Sequence, residues 1–533
     1  MIRKGRVLIV EDEERWQAVV GDTLRRGGFH VDTAGTITTA HKYLEESFFH
    51  LAVLDLHMDL ADAGEGMTLL REIRERGLND SMSVIMLTGK GTKEQMREAF
   101  AQYKVTDFLA KKDFDNLEFL NQVRWAFDHL FKINLDLKVH WQQISGPEDA
   151  VTNLQLNGKR LKAEDSMLPT IAAELDDLLC RLYHKAESVI VKRLATGHSG
   201  AGLLWVQPFY KETGGAQPSV LKFGDFREIA IEFRNWNNYV KSFVSGGRNT
   251  AIQDPLGRTP RLGGITYSLL EAPGEQLASF GDFYKQATLP EINNVLTRLF
   301  TETCGSWYAN AGRLQPYDLT QDYEELMGLS REKIEKALEE KLKSVQGKLQ
   351  LHFNSLPDRH FTNPVYALDQ RFVKPTYVCT THGDFNESNI LVDNTGHSWL
   401  IDFRRTGPGH ILRDVAELEA IVRLKLLGRD DATLQERLEM EERLCSIQHF
   451  SQIDSLSSFA PENEAVAKAY ATSVHLRSLA RKLVSQNPND DISEYYIALF
   501  YFSINMLRFY YLPTIQREHA LLSASLLAEK LTR

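Results

Sequence analysis

Residues 6–12 read RVLIVED, a short, mostly aliphatic run that ends in two acids. Helical patterns such as Glu14–Arg26 and Lys93–Gln102 separate it from later runs of the same kind. These later runs are FHVDTAG (29–35), LAVLDL (51–56), SVIMLTG (83–89) and VTDFLA (105–110). Strands that alternate with helices are typical of a parallel sheet covered on both faces. The sequence therefore predicts a doubly wound, flavodoxin-like α/β domain over residues 1–132.

Polar residues stand where these predicted strands end. They are Glu11, Asp12, Asp55, Thr88 and Lys111. Because ligands of an open parallel sheet bind beyond the carboxyl ends of its strands, we expect the five side chains to meet at one edge. Three carboxylates repel one another unless a hard cation such as Mg²⁺ joins them, and a carboxylate so placed can attack a phosphoryl group to form an acyl phosphate.

These residues resemble the receiver domain of response regulators, over residues 5 to about 131. The resemblance implies Asp55 as the phosphoacceptor and Glu11, Asp12 and Asp55 as Mg²⁺ ligands, with a further metal contact from the backbone carbonyl of His57. It also implies that Thr88, Phe108 and Lys111 respond to phosphorylation. A histidine kinase is the phosphodonor that such a domain predicts, and a homodimer through the receiver is compatible with it.

Two features depart from the receiver pattern. Lys112 stands where the family usually has proline after the lysine, and the loop LHMDLADAGEGM (56–67) is longer than usual, with Asp59 where proline is common. Metal affinity or the lifetime of the phosphoryl group would then differ from the family norm. An unrelated α/β domain with surface acids, and a receiver that no longer accepts phosphate, are the alternatives.

The strongest motif lies much later, in THGDFNESNILVD (381–393) and WLIDFRR (399–405). His382, Asp384 and Asn389 form His-x-Asp-x4-Asn, and Asp402 follows a short strand. Kinase-type phosphoryl transfer needs an aspartate that orients or deprotonates the acceptor hydroxyl, and an asparagine and a second aspartate that hold Mg²⁺ on ATP. The order and separation of these residues match that scheme, so 382–402 is predicted to be a catalytic loop.

Kinase chemistry also predicts a glycine-rich loop and a lysine on a nearby strand. RLATGHSGAGLLWV (193–206) offers Gly197, Gly200 and Gly202, whose backbone amides could approach phosphates, although such a loop alone is a weak signal. The strand SVLKFG (219–224) presents Lys222. The predicted helix 226–243 supplies Glu232, or less favourably Glu228, as the partner of this lysine.

The form HGD, with ILVD and LIDF behind it, resembles the aminoglycoside and choline phosphotransferase-like superfamily, over residues 188 to about 530. The bacterial ternary-complex-associated branch is the nearest fit. The resemblance implies Asp384 as catalytic base, Lys222 with Glu232 at the ATP phosphates, Asn389 and Asp402 as metal ligands, and Asp414 as a structural acid. Gly383 replaces the arginine through which protein kinases bind an activation-loop phosphate. Three arginines, at positions 404, 405 and 413, either face an anionic substrate or, more simply, are solvated or paired with acids.

The resulting domain prediction has four parts. Residues 133–187 form a connector, with the strand-like INLDLKVHW (133–141) and a helix over 171–184; residues 188–275 form a β-rich lobe; and residues 276–533 form a largely helical lobe, helical over 331–349 among other segments. The two lobes together would make a kinase-like α+β domain. A pseudokinase with the same motifs but no turnover remains the alternative.

Composition limits the function further. The 533 residues carry a net charge of −10, which disfavours nonspecific binding to nucleic acid and with it a DNA-binding response regulator. The most apolar stretch, 495–512, contains Ser503, Asn505 and Arg508, so we expect a buried helix and no membrane span. Four cysteines without a CxxC pair indicate reduced thiols, and we expect a cytoplasmic protein.

Two functional hypotheses follow. In the first, the Asp55 receiver regulates an ATP- and Mg²⁺-dependent phosphotransferase whose acceptor hydroxyl belongs to an unidentified small molecule or protein. In the second, the chain is a signalling adaptor that binds nucleotide and partners without turnover. Turnover of ATP with a mixed set of acceptors separates the two.

Overall fold

The computed structural model describes residues 3–56, 65–75, 82–89, 93–194, 200–243, 251–268, 277–342 and 345–532. The chain divides into two compact units, Met1–Phe233 with Ala251–Leu269, and Arg234–Thr250 with Leu270–Arg533. The domain boundaries expected from sequence stay predictions.

The first sheet of the first unit has five parallel strands, in the order β2-β1-β3-β4-β5. They are β1 (Arg6–Val10), β2 (His30–Ala34), β3 (Leu51–Leu54), β4 (Ser83–Thr88) and β5 (Asp107–Ala110). The helices are α1 (Glu14–Arg26), α2 (Ile37–Glu46), α3 (Glu65–Glu75), α4 (Lys93–Ala101) and α5 (Asn116–His129). Alternate residues of β1 face opposite cores, Leu8 and Val10 in one and Val7 and Ile9 in the other. Both faces of the sheet are therefore covered, as the flavodoxin-like prediction requires.

The second sheet of this unit has seven strands, in the order β13-β14-β12-β10-β9-β6, with β11 paired to β10. With the small β7–β8 pair, the strands are β6 (Lys138–Gln142), β7 (Gln155–Leu156), β8 (Lys159–Arg160), β9 (Ser188–Arg193), β10 (Gly202–Tyr210), β11 (Gly214–Gly215), β12 (Ser219–Asp225), β13 (Ala251–Arg258) and β14 (Leu262–Ser268). The helices are α6 (Pro147–Val151), α7 (Leu168–Leu182) and α8 (Phe226–Asn235), the last continuing in π and 3-10 turns to Phe243.

The segment predicted to be a connector is part of this second sheet. Strand β6 pairs in parallel with β9, from Lys138 opposite Ser188 to Gln142 opposite Lys192. Helix α7 lies between these strands in sequence and contributes Leu175 and Leu178 to the core beneath them. Parallel neighbours need a crossover connection, and here residues 143–187 supply it. Of the strand-like 133–141 segment, only 138–141 is a strand, and β6 continues to Gln142.

The second unit is mostly helical. Its strands are β15 (Ala278–Ser279), β16 (Gln315–Asp318), β17 (Val345–Gln346), β18 (Gln350–Phe353), β19 (Leu356–Thr362), β20 (Val373–Thr376), β21 (Val378–Thr381), β22 (Ile390–Val392), β23 (Ser398–Leu400) and β24 (Gly407–His410). They form four small antiparallel sheets, β15-β22-β23, β16-β20, β17-β18-β19 and β21-β24. The helices are α9 (Phe280–Gln286), α10 (Leu289–Arg298), α11 (Gly305–Ala309), α12 (Leu319–Met327), α13 (Arg331–Lys341), α14 (Arg413–Ile421), α15 (Leu434–Leu444), α16 (Glu464–Leu483), α17 (Ser493–Met506) and α18 (Thr514–Thr532).

The helix expected over residues 331–349 is shorter than predicted. Ser330 caps its start by accepting a hydrogen bond from the Lys333 amide, and α13 ends at Lys341. Gly347 has a φ of 102°, a conformation that L-residues rarely take and that an α-helix does not contain. A helix could therefore not have continued through this residue to position 349. The following residues alternate between exposed and buried positions as β18, so charge composition alone overstated the helix.

The most apolar segment of the sequence and the cysteines lie in the protein interior. Helix α17 is almost entirely buried, and among the described residues no helix is both long and apolar enough to cross a membrane. The four cysteines are buried and free.

Candidate functional site

The acids at the carboxyl edge of the first sheet lie together. Ligand oxygens of Glu11, Asp12 and Asp55 all lie within 4.8 Å of one another. Glu11 and Asp55 are buried, whereas Asp12 is exposed. Three carboxylates around one point, one of them open to solvent, form a donor set that fits Mg²⁺.

Lys111 binds this acid cluster directly. Its Nζ lies 2.8 Å from both Glu11 Oε1 and Asp55 Oδ2, and 3.2 Å from Glu13 Oε1. Burial acts to lower the pKa of Lys111, but its hydrogen bonds to Asp55 and Glu11 raise it overall, so the ammonium stays charged. Burial raises the pKa of Glu11 to about 7, and the Asp55 charge adds to this, although the Lys111 hydrogen bond opposes it. Sequence reasoning missed Glu13, which follows the acid pair directly.

The remaining receiver positions differ in how far they are buried. Thr88 is buried at the end of β4, and Phe108 on β5 is half-buried opposite Met86. A 3-10 turn begins at Lys111, and Lys112 projects to solvent within it. His57, Asp59 and the rest of the loop 57–64 lie outside the described residues.

In the second sheet, Lys222 and Glu232 form a buried ion pair with 2.7 Å between Nζ and Oε2. Lys222 projects from β12, and Glu232 lies on α8 one turn before the helix ends. Glu232 also accepts a hydrogen bond from the hydroxyl of Tyr267 on β14, a contact the sequence did not indicate. This is the pairing predicted from sequence, held by two strands and a helix.

The predicted glycine-rich loop is only partly described. Gly197 lies outside the described residues. Gly200 has a φ of 74° and its carbonyl accepts a hydrogen bond from the Gln155 amide at 2.8 Å. A Cβ on Gly202 would lie 2.3 Å from the Phe223 ring, so packing alone accounts for this glycine.

The loop that follows β21 carries Asp384, and its backbone is held by two acids of α14. Asp414 accepts hydrogen bonds from the amides of His382 at 2.9 Å and Gly383 at 3.1 Å, and from the Tyr308 hydroxyl at 3.0 Å. Glu417, one turn further along α14, accepts from the Phe385 amide at 2.8 Å. The amides on both sides of Asp384 are thus fixed by one helix face, because residues three apart share that face.

Glu417 was not singled out from sequence, although its i+3 spacing from Asp414 in RDVAELE is the signal that could have found it. Burial raises the pKa of Glu417 to about 8, and the negative charge of Asp384 adds to this effect, against the Phe385 hydrogen bond. The group is therefore mainly protonated at neutral pH. A neutral Glu417 limits the repulsion on Asp384.

Asn389 and Asp402 are brought together by the β22–β23 hairpin. Ile390 pairs with Leu400, and the Ile401 amide donates to the Asn389 carbonyl at 3.0 Å. The Asn389 Nδ2 donates to the Asp384 carbonyl at 2.9 Å, which leaves its Oδ1 as the oxygen that can hold a metal ion. Asp402 has a φ of 69°, a strained conformation for a residue with a Cβ and one that is frequent at functional sites. These two oxygen donors fit Mg²⁺.

The residues around this loop explain two sequence features. A Cβ on Gly383, whose φ is 76°, would lie 2.5 Å from the Arg405 carbonyl, so the HGD form follows from a close backbone approach. Arg413 is buried, pairs with Asp322 and donates to the Thr381 hydroxyl at 3.0 Å. The sequence left open whether the arginines face an anionic substrate or pair with acids, and Arg413 pairs with an acid.

Residues 186–346 and 330–508 match the family model of ternary complex associated domain 9, and together they cover more than half of the chain. The chain belongs to the ternary complex associated domain 9 family. Residues 7–124 match the response regulator receiver domain family. The N-terminal part is therefore a receiver domain of two-component signalling, and such a domain implies a phosphodonor such as a histidine kinase.

Solved receiver domains are similar to about a quarter of the chain. The signal receiver domain of an HD domain-containing protein from Pseudomonas fluorescens is 23% identical, with a TM-score of 0.22 over 24% of this chain and 98% of that one. A response regulator from Thermotoga maritima is 21% identical, with a TM-score of 0.21 over 24% and 99%. The beryllofluoride-activated NtrC4 receiver domain dimer is 32% identical, with a TM-score of 0.21 over 24% and 98%.

Proposed function

We propose that this member of the family is a response regulator whose Asp55 receiver controls an ATP-dependent phosphotransferase acting on a hydroxyl group of a small molecule or a protein. The observation that carries the proposal is the loop around Asp384. Its backbone is fixed by Asp414 and Glu417, and the amide of Ile401, next to Asp402, donates to the Asn389 carbonyl. Kinase-type phosphoryl transfer depends on positioning and on electrostatic stabilisation, which such a fixed loop supplies.

Each residue of the loop has a separate task in this proposal. Asp384 orients the acceptor hydroxyl and takes its proton as the oxygen attacks the terminal phosphorus of ATP. The bond from that phosphorus to the β,γ-bridging oxygen breaks with its electron pair, and ADP leaves. Asn389 Oδ1 and Asp402 would hold Mg²⁺, which when bound neutralises charge on the phosphates. Asn386 donates from Nδ2 to Asp384 Oδ1 at 3.1 Å, which fixes the rotamer of the base. The kinase scheme assigns Lys222, held by Glu232, to ATP phosphates.

The receiver works by a second phosphoryl transfer. An oxygen of Asp55 attacks the phosphorus of the donor, a P–O bond forms, and the bond from phosphorus to the donor nitrogen or oxygen breaks with its electron pair. Glu11 and Asp12, with Asp55, would hold the Mg²⁺ that offsets the charge of the incoming group. Lys111, already 2.8 Å from Asp55 Oδ2, is placed to pair with the new phosphoryl oxygens, and Thr88 supplies a hydroxyl at the same edge.

The enzymatic part is tested by ADP release from full-length protein with MgATP and a panel of sugars, polyols, amino alcohols and peptide hydroxyls. We expect turnover with at least one acceptor, and a loss of about 100- to 10,000-fold in Asp384→Asn, the usual contribution of a general base. Asp430→Asn, an exposed acid of the same unit, is the matched control and should match the wild type. Magnesium-dependent ATP binding without turnover across the panel would favour the adaptor alternative.

The receiver part is tested by intact mass after incubation with acetyl phosphate and Mg²⁺. The wild type should gain one phosphoryl group and Asp55→Asn none, while Asp22→Asn, an exposed acid on α1, should behave as the wild type. Wild-type protein that stays unmodified and binds no Mg²⁺ would contradict the assignment of Asp55.

A further inference from the structure

Helix α7 packs against the seven-stranded sheet and hydrogen-bonds residues of the receiver. On one side, Leu175, Leu178 and Leu179 pack into the core beneath the seven-stranded sheet. On the other side, its acids Glu174, Asp176 and Asp177 bind residues that the receiver or the β13–β14 turn supplies. Acids on a largely buried helix must be paired, so these contacts fix the receiver against the helix.

The central contact is a buried hydrogen bond between His50 and Asp177, with 2.7 Å between Nε2 and Oδ1. His50 Nδ1 accepts a hydrogen bond from the Arg6 amide at 3.0 Å, so Nε2 carries the proton and donates to Asp177. The second oxygen of Asp177 accepts from Arg181 Nε at 2.7 Å. A single tautomer of His50 therefore satisfies both a strand of the receiver and the helix of the second sheet.

A second contact joins the end of α2 to the turn between β13 and β14. Arg261, in that turn, pairs with the fully buried Glu174 and also donates to the carbonyls of Glu45 and Ser47, the latter at 3.3 Å. Thr170 of α7 donates to the Glu46 carbonyl at 3.0 Å. The C-terminal carbonyls of a helix carry partial negative charge, so a guanidinium is stabilised there.

These contacts lie at the end of the receiver sheet opposite to the phosphoacceptor. His50 immediately precedes β3 and Asp55 immediately follows it, so one strand of four residues joins the two. Arg261 precedes β14, whose Ile265 pairs with Lys222 on β12. A continuous set of backbone and side-chain bonds thus runs from Asp55 to the strand that bears Lys222.

We propose that His50, Asp177, Glu174, Arg261 and Thr170, here called the α7 clamp, transmit the phosphorylation state of the receiver to strands β12 and β14. Phosphorylation at Asp55 and the role of Lys222 rest on the proposed function, but the transmission does not depend on the phosphotransferase activity. The α7 clamp contacts the receiver at the amino end of β3 and at the last turn of α2. A shift of β3 or α2 on phosphorylation changes the contacts of His50 and Arg261, and α7 and β14 must follow.

The test is hydrogen exchange of the full-length protein, read by mass spectrometry, with and without Mg²⁺ and beryllofluoride as the mimic of the acyl phosphate. We expect amides of β12 and β14 to change their exchange rate by about 5-fold or more in the wild type, the lower end of allosteric coupling. Arg261→Met should lose this change while the amides around Asp55 still respond. Arg25→Met, an exposed arginine of the receiver, is the matched control and should behave as the wild type.

Several results would overturn the proposal. They are a wild type whose β12 and β14 do not respond, a response that survives in Arg261→Met, and a receiver that is itself silent to beryllofluoride. If Arg261→Met does not fold, Thr170→Val removes only the hydroxyl that donates to Glu46 and should weaken the response, and an undiminished response would again refute the clamp. The hydrogen-exchange experiment contains neither ATP nor an acceptor. Its outcome is therefore independent of whether the phosphotransferase assignment is correct.

Discussion

Asp414→Asn is the substitution whose cost follows most directly from the structure. Asp414 is fully buried and accepts from three donors, with Oδ2 serving the Tyr308 hydroxyl and the His382 amide and Oδ1 serving the Gly383 amide. An asparagine oxygen in the Oδ2 place keeps the first two bonds, but its amide group then faces the Gly383 N–H. That leaves a buried donor without an acceptor.

The expected loss of stability is the sum of two contributions, the unsatisfied donor and the two weakened hydrogen bonds. An unsatisfied buried donor costs about 1–3 kcal/mol, and each of the two remaining bonds loses about 1 kcal/mol when its acceptor is no longer charged. Asp414→Asn should therefore lower the free energy of unfolding of the second unit by about 3–5 kcal/mol. In calorimetry this corresponds to a fall in Tm of about 6–20 °C, at about 2–4 °C per kcal/mol for a large domain.

Glu417→Gln is the matched control, because the two acids share one face of α14 and both accept from the Asp384 loop. Since the pKa of Glu417 is about 8, the side chain is mostly neutral at pH 7, and glutamine keeps an oxygen for the Phe385 amide. Its cost should stay below about 1 kcal/mol, the net value of a neutral hydrogen bond. Equal destabilisation by the two substitutions, or an Asp414→Asn protein within 1 kcal/mol of the wild type, would refute the reasoning.

Three further predictions concern stability. Glu419→Gln leaves the buried Arg477 and Arg423 with too little negative charge and should cost about 3–5 kcal/mol in urea unfolding, as for other broken buried pairs. Burial lowers the pKa of His519 from 6.5 to about 4, so the unfolded chain binds a proton at a higher pH than the folded protein does. The free energy of unfolding should therefore fall by up to about 3 kcal/mol between pH 6.5 and pH 4. His519→Gln should remove this contribution to the shift of the urea midpoint with pH. A chain beginning at residue 150 lacks β6, and the rest of the seven-stranded sheet should lose cooperative thermal unfolding, which protection of its amides in a folded fragment would contradict.

The candidate sites differ in how far sequence predicted them. The strand-end positions of Glu11, Asp55 and Lys111 were foreseeable, because parallel strands bring their carboxyl ends to one edge. The pairing of Lys222 with Glu232 was foreseeable from the order of strand and helix. Glu13 and Tyr267 were not, since each joins its site through a contact between elements that no local pattern marks. Glu417 was missed although its i+3 spacing from Asp414 marks it.

The amino-acid sequence was sufficient to predict the strand and helix alternation of the receiver, the parallel arrangement of its sheet and the motif from His382 to Asp402. These follow from periodicity and from spacing within short segments, which the backbone geometry fixes locally. The folded chain was needed to show that residues 138–142 join the second sheet and that the His50 tautomer and Arg261 bind the receiver to α7 and the β13–β14 turn. Such contacts join residues more than 40 positions apart, and their energy depends on burial and on complementary partners that a single segment does not contain.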